Sequence, residues 1–177
     1  MRIENPDSCE QEEPSDETRV AAKCLDKGLR LLARRQHFRR ELEQKLLTRA
    51  FPDEVVRTTL DRLTELGYLD DRRCAEERAA GDFRRRGYGP RRMEWELRKR
   101  GAGNELAAEV VAERFPDGDL DLAREVAARW QDRGGLDAAV LARHLDRKGF
   151  SRGSILKAVR DLESSLGGSD GSAEPDL

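Results

Sequence analysis

Apolar residues return three times along this chain in the same order and at helical spacing, with a period of 48 to 51 residues. The first round reads Leu25, Leu29 and Leu32, then Leu42 and Leu46, then Val56, Leu60 and Leu63. The second reads Ala75, Ala79 and Phe83, then Met93 and Leu97, then Ala107 and Val111. The third reads Leu122, Val126 and Trp130, then Leu141 and Leu145, then Ile155, Val159 and Leu162. Steps of three or four residues put apolar side chains on one helix face, so each round predicts three short helices. Aligned, the rounds superimpose Leu46, Leu97 and Leu145, then Ala50, Gly101 and Gly149, then Leu60, Val111 and Val159. The expected fold is all-α, with three tandem three-helix repeats over residues 18–69, 70–116 and 117–163 forming an elongated, curved array. No segment has the two-residue alternation of a strand.

The breaks between helices have local causes. Phe51-Pro52-Asp53-Glu54 sets a proline and two acids where a helix starts. Ala50, Gly101 and Gly149 fall where a helix ends in a left-handed residue, a conformation that favours small side chains. At the junction Gly67-Tyr68-Leu69-Asp70-Asp71, Gly67 ends a helix, Tyr68 and Leu69 are placed to pack between repeats, and Asp70 or Asp71 caps the next helix.

Charge divides the chain unevenly. Charged residues are 40% of it and aromatics 5%, so apolar side chains must be concentrated on faces. The net charge of -2 conceals seven acids against Arg2 in residues 1–17, and three further acids without a base in 164–177. These ends read as disordered acidic tails, and the body between them is basic. A basic body suits an anionic partner such as nucleic acid, although a solvated helical surface also carries many arginines. Cys9, Cys24 and Cys74 lack the spacing of a disulfide framework or zinc site. No apolar run approaches the about 20 residues of a membrane span. His37 and His144 stand apart from any catalytic or ligand set. The chain is expected to be cytoplasmic and non-enzymatic, with no catalytic residues, cofactor or metal.

The densest basic segment follows the first helix of the second repeat. Arg84, Arg85, Arg86, Arg91, Arg92, Arg98, Lys99 and Arg100 stand against Glu94 and Glu96. Within it, Gly87 and Gly89 allow a tight turn around Tyr88, and Pro90 fits a first helical position. These bases, with the free N–H groups of the helix start, suit phosphates, and Tyr88 suits stacking on a base. A solvated face with a packing tyrosine explains the same residues. Trp95 lies off the apolar stripe, as a contact to a neighbouring repeat or an exposed binding aromatic. Trp130 continues a stripe and is expected in the core.

Gly67-Tyr68-Leu69-Asp70-Asp71, followed by Arg85-Arg86-Gly87-Tyr88-Gly89-Pro90-Arg91-Arg92-Met93 and Glu96-Leu97, resembles the central signature of the RecX family. Leu31-Leu32-Ala33-Arg34-Arg35 and Glu41-Leu42 are similar to the family's first repeat. The likeness covers residues 22–112; Cys74 replaces the usual Phe after the Asp pair, and Phe38 stands where a Ser cap is frequent. The chain itself is expected to be a monomer, and the resemblance implies a regulator that enters the groove of the RecA filament on single-stranded DNA. It further implies inhibition of RecA's ATPase, recombinase and coprotease activities, in DNA repair and the SOS response, with weak duplex binding at most. The bases from Arg84 to Arg100 with Tyr88 are then the candidate contacts to RecA or DNA. The alternative is a helix-turn-helix transcriptional regulator whose helix opening at Pro90 enters a major groove.

Overall fold

The computed structural model describes residues 15–135 and 137–167, and within them every regular element is helical. The helices are α1 (Asp16–Leu32), α2 (Arg39–Leu47), α3 (Asp53–Glu65), α4 (Asp71–Arg78), α5 (Pro90–Lys99), α6 (Asn104–Arg114), α7 (Leu120–Gln131), α8 (Ala138–Lys148) and α9 (Arg152–Gly167). They fall into two compact units that divide between Leu69 and Asp70. Among the described residues no helix is long and apolar enough to cross a membrane.

The first unit is α1, α2 and α3 around Cys24, Leu42, Leu46, Val56, Leu60, Leu63 and Leu69. Burying a leucine fully is worth about 1.5–3 kcal/mol, so Leu42, Leu46 and Leu63, all at zero exposure, carry much of this unit. The α1 stripe is rotated from the expected one. Leu25, Leu29 and Leu32 are only half-buried, and the buried positions are Cys24 and Gly28. A Cβ at Gly28 would lie 2.8 Å from Leu63 Cδ1, so the missing side chain is what lets α1 approach α3.

Beside this core, His37 is buried and not isolated as its sequence context implied. Its Nδ1 lies 2.9 Å from the Arg35 carbonyl and its Nε2 2.8 Å from Lys45 Nζ. Since an ammonium only donates, Nε2 accepts and Nδ1–H donates, which fixes a neutral ring. Burial and the Arg35 charge also keep its pKa below the usual imidazole value. Arg35 and Lys45 both donate to Glu41. Burial alone would raise that carboxyl, yet these two hydrogen bonds outweigh it and bring its pKa to about 2.

The second unit holds α4, α5 and α6 together with α7, α8 and α9. Asp70 caps α4 by accepting the Arg73 N–H at 3.0 Å, and Asp71 occupies the first turn. Past Arg78 the helix widens into a π turn, Ala79–Phe83. The buried residues Ala75, Ala79 and Phe83 recur every fourth position, a period longer than 3.6, and the wider turn keeps them on one side. The last three helices enclose Leu122, Ala123, Val126, Ala127, Leu141, Leu145, Phe150, Ile155, Ala158 and Leu162. Asp119, before α7, is buried and accepts the Ser151 N–H at 2.7 Å and the hydroxyls of Ser151 and Ser154 at 2.8 and 2.6 Å. It thereby serves the start of α9 from across the chain. Burial pushes its carboxyl up, and those three donors outweigh it to hold it below the ordinary value.

Ala50, Gly101 and Gly149 all have positive φ, at 59°, 111° and 86°. The boundaries of the tails differ from expectation. Residues 16 and 17 belong to α1, because the Ser15 hydroxyl accepts the Thr18 N–H and two acids occupy the first turn. At the other end, α9 continues through residues 164–167. The rest of both tails, with Cys9, lies outside the described residues.

Candidate functional site

The segment Gly87-Tyr88-Gly89-Pro90 sits between α4 and α5, against the turn that joins α8 to α9. Gly87 has φ of +63°, and a Cβ there would come within 2.6 Å of Val126 Cγ2. Gly89 is the N-cap of α5, with Pro90 as its first helical residue. A Cβ on Gly89 would lie 2.7 Å from the Phe150 nitrogen and 2.8 Å from the Gly149 carbonyl. Gly149 answers from the other side, where a Cβ would lie 2.3 Å from the Arg92 nitrogen. Two backbone surfaces therefore meet with no side chain between them. The Gly89 N–H donates to the Lys148 carbonyl at 2.8 Å and the Arg91 N–H to the Gly149 carbonyl at 3.1 Å.

This contact changes the reading of the helix start. The Gly89 and Arg91 N–H groups are spent on the α8–α9 turn, which also packs against the end of α5 that a recognition helix would insert into a groove. Arg91 belongs to the same joint, donating to Asp146 Oδ1 at 2.8 Å and to the Phe150 carbonyl at 2.7 Å. Tyr88 is half-buried, with Phe83 at 5.7 Å between centroids and the Arg92 and Lys148 cations 5.5 and 5.3 Å from its ring centre. Both cations lie over its ring, so Tyr88 packs within the joint.

The other bases divide by position. Arg84 reaches Glu125 at 3.4 Å, Arg85 pairs with Asp82, and Arg86 is exposed. Arg92 pairs with Glu96 at 2.7 Å and lies 4.4 Å over the Trp95 ring, which Lys99 approaches at 4.7 Å. Arg98 pairs with Glu94 at 3.2 Å, while Arg100 lies 3.8 Å from Glu96 and 5.8 Å from the Phe83 ring centre. Trp95 is 44% exposed between its two cations. Tyr68 is 53% exposed instead of packed, Leu69 lies in the first unit's core, and Gly67 takes φ of +71° to end α3.

The fold also gathers bases that the sequence reading passed over. Arg129 and Arg133 follow one side of α7 and its end, His144 and Lys148 one side of α8, and all four face Arg85, Arg86 and Gly87 across a cleft of about 240 Å³. The signal available in sequence was only their four-residue spacing on consecutive helices. Trp130, half-buried at the edge of the core, stacks on His144 at 4.7 Å. Among the described residues no three His, Cys, Asp or Glu side chains gather as metal ligands do.

This architecture defines an all-α protein assembled from small three-helix domains in tandem. Two family models match the chain, the first three-helix domain of RecX over residues 24–63 and the second over residues 70–111. The regulatory protein RecX of Halorhodospira halophila is 37% identical over 141 residues, covering 76% of this chain and 84% of that protein. The regulatory protein RecX of Thermus thermophilus is 38% identical over 141 residues, covering 80% of this chain and 93% of that protein. The crystal structure of RecX from Lactobacillus salivarius shares the fold with a TM-score of 0.72 at 19% identity, over 82% of this chain and 98% of that one. The chain belongs to the RecX family.

Proposed function

We propose that this protein binds the RecA filament on single-stranded DNA in the cytoplasm and restrains RecA's ATP hydrolysis, strand exchange and coprotease activities. It needs no cofactor for this and works as a monomer. Family membership supports the partner. The observation that carries the binding surface is the set of exposed arginines on a backbone fastened by the Gly89 and Arg91 hydrogen bonds. Cations on a rigid support bind an extended anion with little ordering cost, and partner identity then rests on apolar contacts beside them. Trp95, exposed between Arg92 and Lys99, offers such a contact.

The test is RecA-catalysed ATP hydrolysis on single-stranded DNA, titrated with this protein and with a triple variant Arg84→Gln, Arg85→Gln, Arg98→Gln. These three side chains are exposed and make only ion pairs, so the variant spares the joint that Arg91 and Arg92 help build. Inhibition below one protein per RecA, weakened at least tenfold in the variant, is expected. Absence of any effect of the wild-type protein at excess would overturn the reading.

A further inference from the structure

The cleft between the Arg85–Gly87 turn and helices α7 and α8 brings together several cations that lack an ion-pair partner. Just over half of the exposed arginines among the described residues have a carboxylate within 4 Å, Arg98 and Arg124 among them. In the cleft, Arg86, Arg133 and Lys148 have none among the described residues. Arg133 Nε donates to the Arg129 carbonyl at 2.9 Å, and Lys148 Nζ to the Arg86 carbonyl at 2.5 Å. The charges of Asp82 and Glu96 reach Arg86, but Asp82 pairs with Arg85 and Glu96 with Arg92 and Arg100; Glu125 pairs with Arg84 and Arg129, and Asp146 with Arg91. At 240 Å³ the cleft has room for roughly eight waters, enough for a tetrahedral anion and part of its hydration.

We infer that this cleft is a phosphate site, in which Arg86, Arg133 and Lys148 donate to the anion and Arg129 and His144 wall it. Three elements from two three-helix sets supply these groups, so the site exists only when the joint is closed. Cations held close without counter-charge repel one another, and an anion bound among them removes that cost. The crowding registers on the titratable groups. Burial, then the charges of Lys148, Arg147 and Arg133, hold His144 below the usual imidazole value. Burial, with the Arg133, Arg129 and Arg86 charges and against the pull of Tyr88, holds Lys148 below the usual ammonium value. Two sources share this chemistry, a strand backbone and a free phosphate such as that of a nucleotide. The site goes beyond the filament reading and is independent of it.

The chain has two histidines, which makes the test direct. His144 faces Lys148 and Arg147 on its own helix, Arg129 and Arg133 from α7, and the Arg85–Arg86 turn, whereas His37 lies in the other unit. The C2–H proton signals of both are followed through pH titrations at constant ionic strength, with inorganic phosphate or with a ten-residue oligothymidylate lacking a terminal phosphate. Bound phosphate is expected to raise the pKa of His144 by about 1 and to leave His37 unmoved. Arg133→Gln, an exposed change, should weaken the response at least fivefold, and Arg98→Gln, outside the cleft, should preserve it. A response to the oligonucleotide at lower concentration than to phosphate assigns the site to a strand backbone, and the reverse order assigns it to a free phosphate. If chloride at equal ionic strength moves His144 as far, or if Arg133→Gln responds like the wild type, the site does not exist. RecA is absent from every arm, so this result and the ATPase result stand or fall separately.

Discussion

Ala50 is the residue at which the repeat pattern is most costly. It shares with Gly101 and Gly149 a helix-ending position of positive φ, but it carries a Cβ. A left-handed L-residue costs roughly 1–2 kcal/mol, partly offset in the unfolded state because glycine has more freedom to lose. Ala50→Gly is therefore expected to stabilise the first unit by about 0.5–1 kcal/mol, read from urea unfolding at constant m. Glu41 supplies a second test at this scale. Its folded pKa of about 2 lies below the ordinary 4.5, so its contribution is present above that ordinary value and is lost as pH falls towards 2. Glu41→Gln should lower stability by about 1–3 kcal/mol at pH 7 and flatten the loss between pH 4.5 and 2, which thermal unfolding across that range would reveal. Neither effect is written in the neighbouring sequence alone: the value at Glu41 depends on Arg35 and Lys45 closing on one carboxylate while His37 is buried beside them.

At the scale of elements, the helices were legible because burial on a helix is periodic, and Leu42, Leu46, Val56, Leu60 and Leu63 report that period without interference. Gly28 was not legible, since a mid-helix glycine looks like a weak point until the opposing Leu63 is known. The π turn was hidden for a similar reason, its only trace being a four-residue recurrence. The candidate site divides likewise. Gly87, Gly89 and Pro90 announce a turn from sequence, but that their backbone seals against Gly149 and Phe150 is a tertiary fact, as is the convergence of Arg133 and Lys148 on Arg86. The seal makes a demand on one atom. Gly89→Ala would drive a Cβ into the Phe150 nitrogen and the Gly149 carbonyl, and backbone on both sides leaves little room to give. A loss of about 2–3 kcal/mol from the second unit is expected, measured by hydrogen exchange of α7 and α8 amides, with α2 and α3 protection unchanged.

For the whole molecule, charge is the property that no single element shows. The first 14 residues carry five acids against one arginine, ahead of an otherwise basic body. An acidic segment competes with DNA for the same cations, so deletion of residues 1–14 is expected to tighten binding to duplex DNA several-fold at low salt, with the difference shrinking as salt rises. Fluorescence anisotropy with a labelled duplex checks this, and equal affinities would show that the segment does not screen. The deletion stops before Ser15, because that hydroxyl caps α1.

The joint at Gly89 also has a bearing on time. Its side-chain bonds link residues 55 to 62 positions apart, whereas most other contacts of α5 are made with α6, which follows it directly in the chain. Contacts that close long loops form late, after the local ones have reduced the entropy to be lost. During synthesis, α5 leaves the ribosome well before the turn that will accept its N–H groups. Lesions at this joint should then appear in how fast the protein comes apart and hardly at all in how fast it assembles, a division that stopped-flow unfolding and refolding of Gly89→Ala would display.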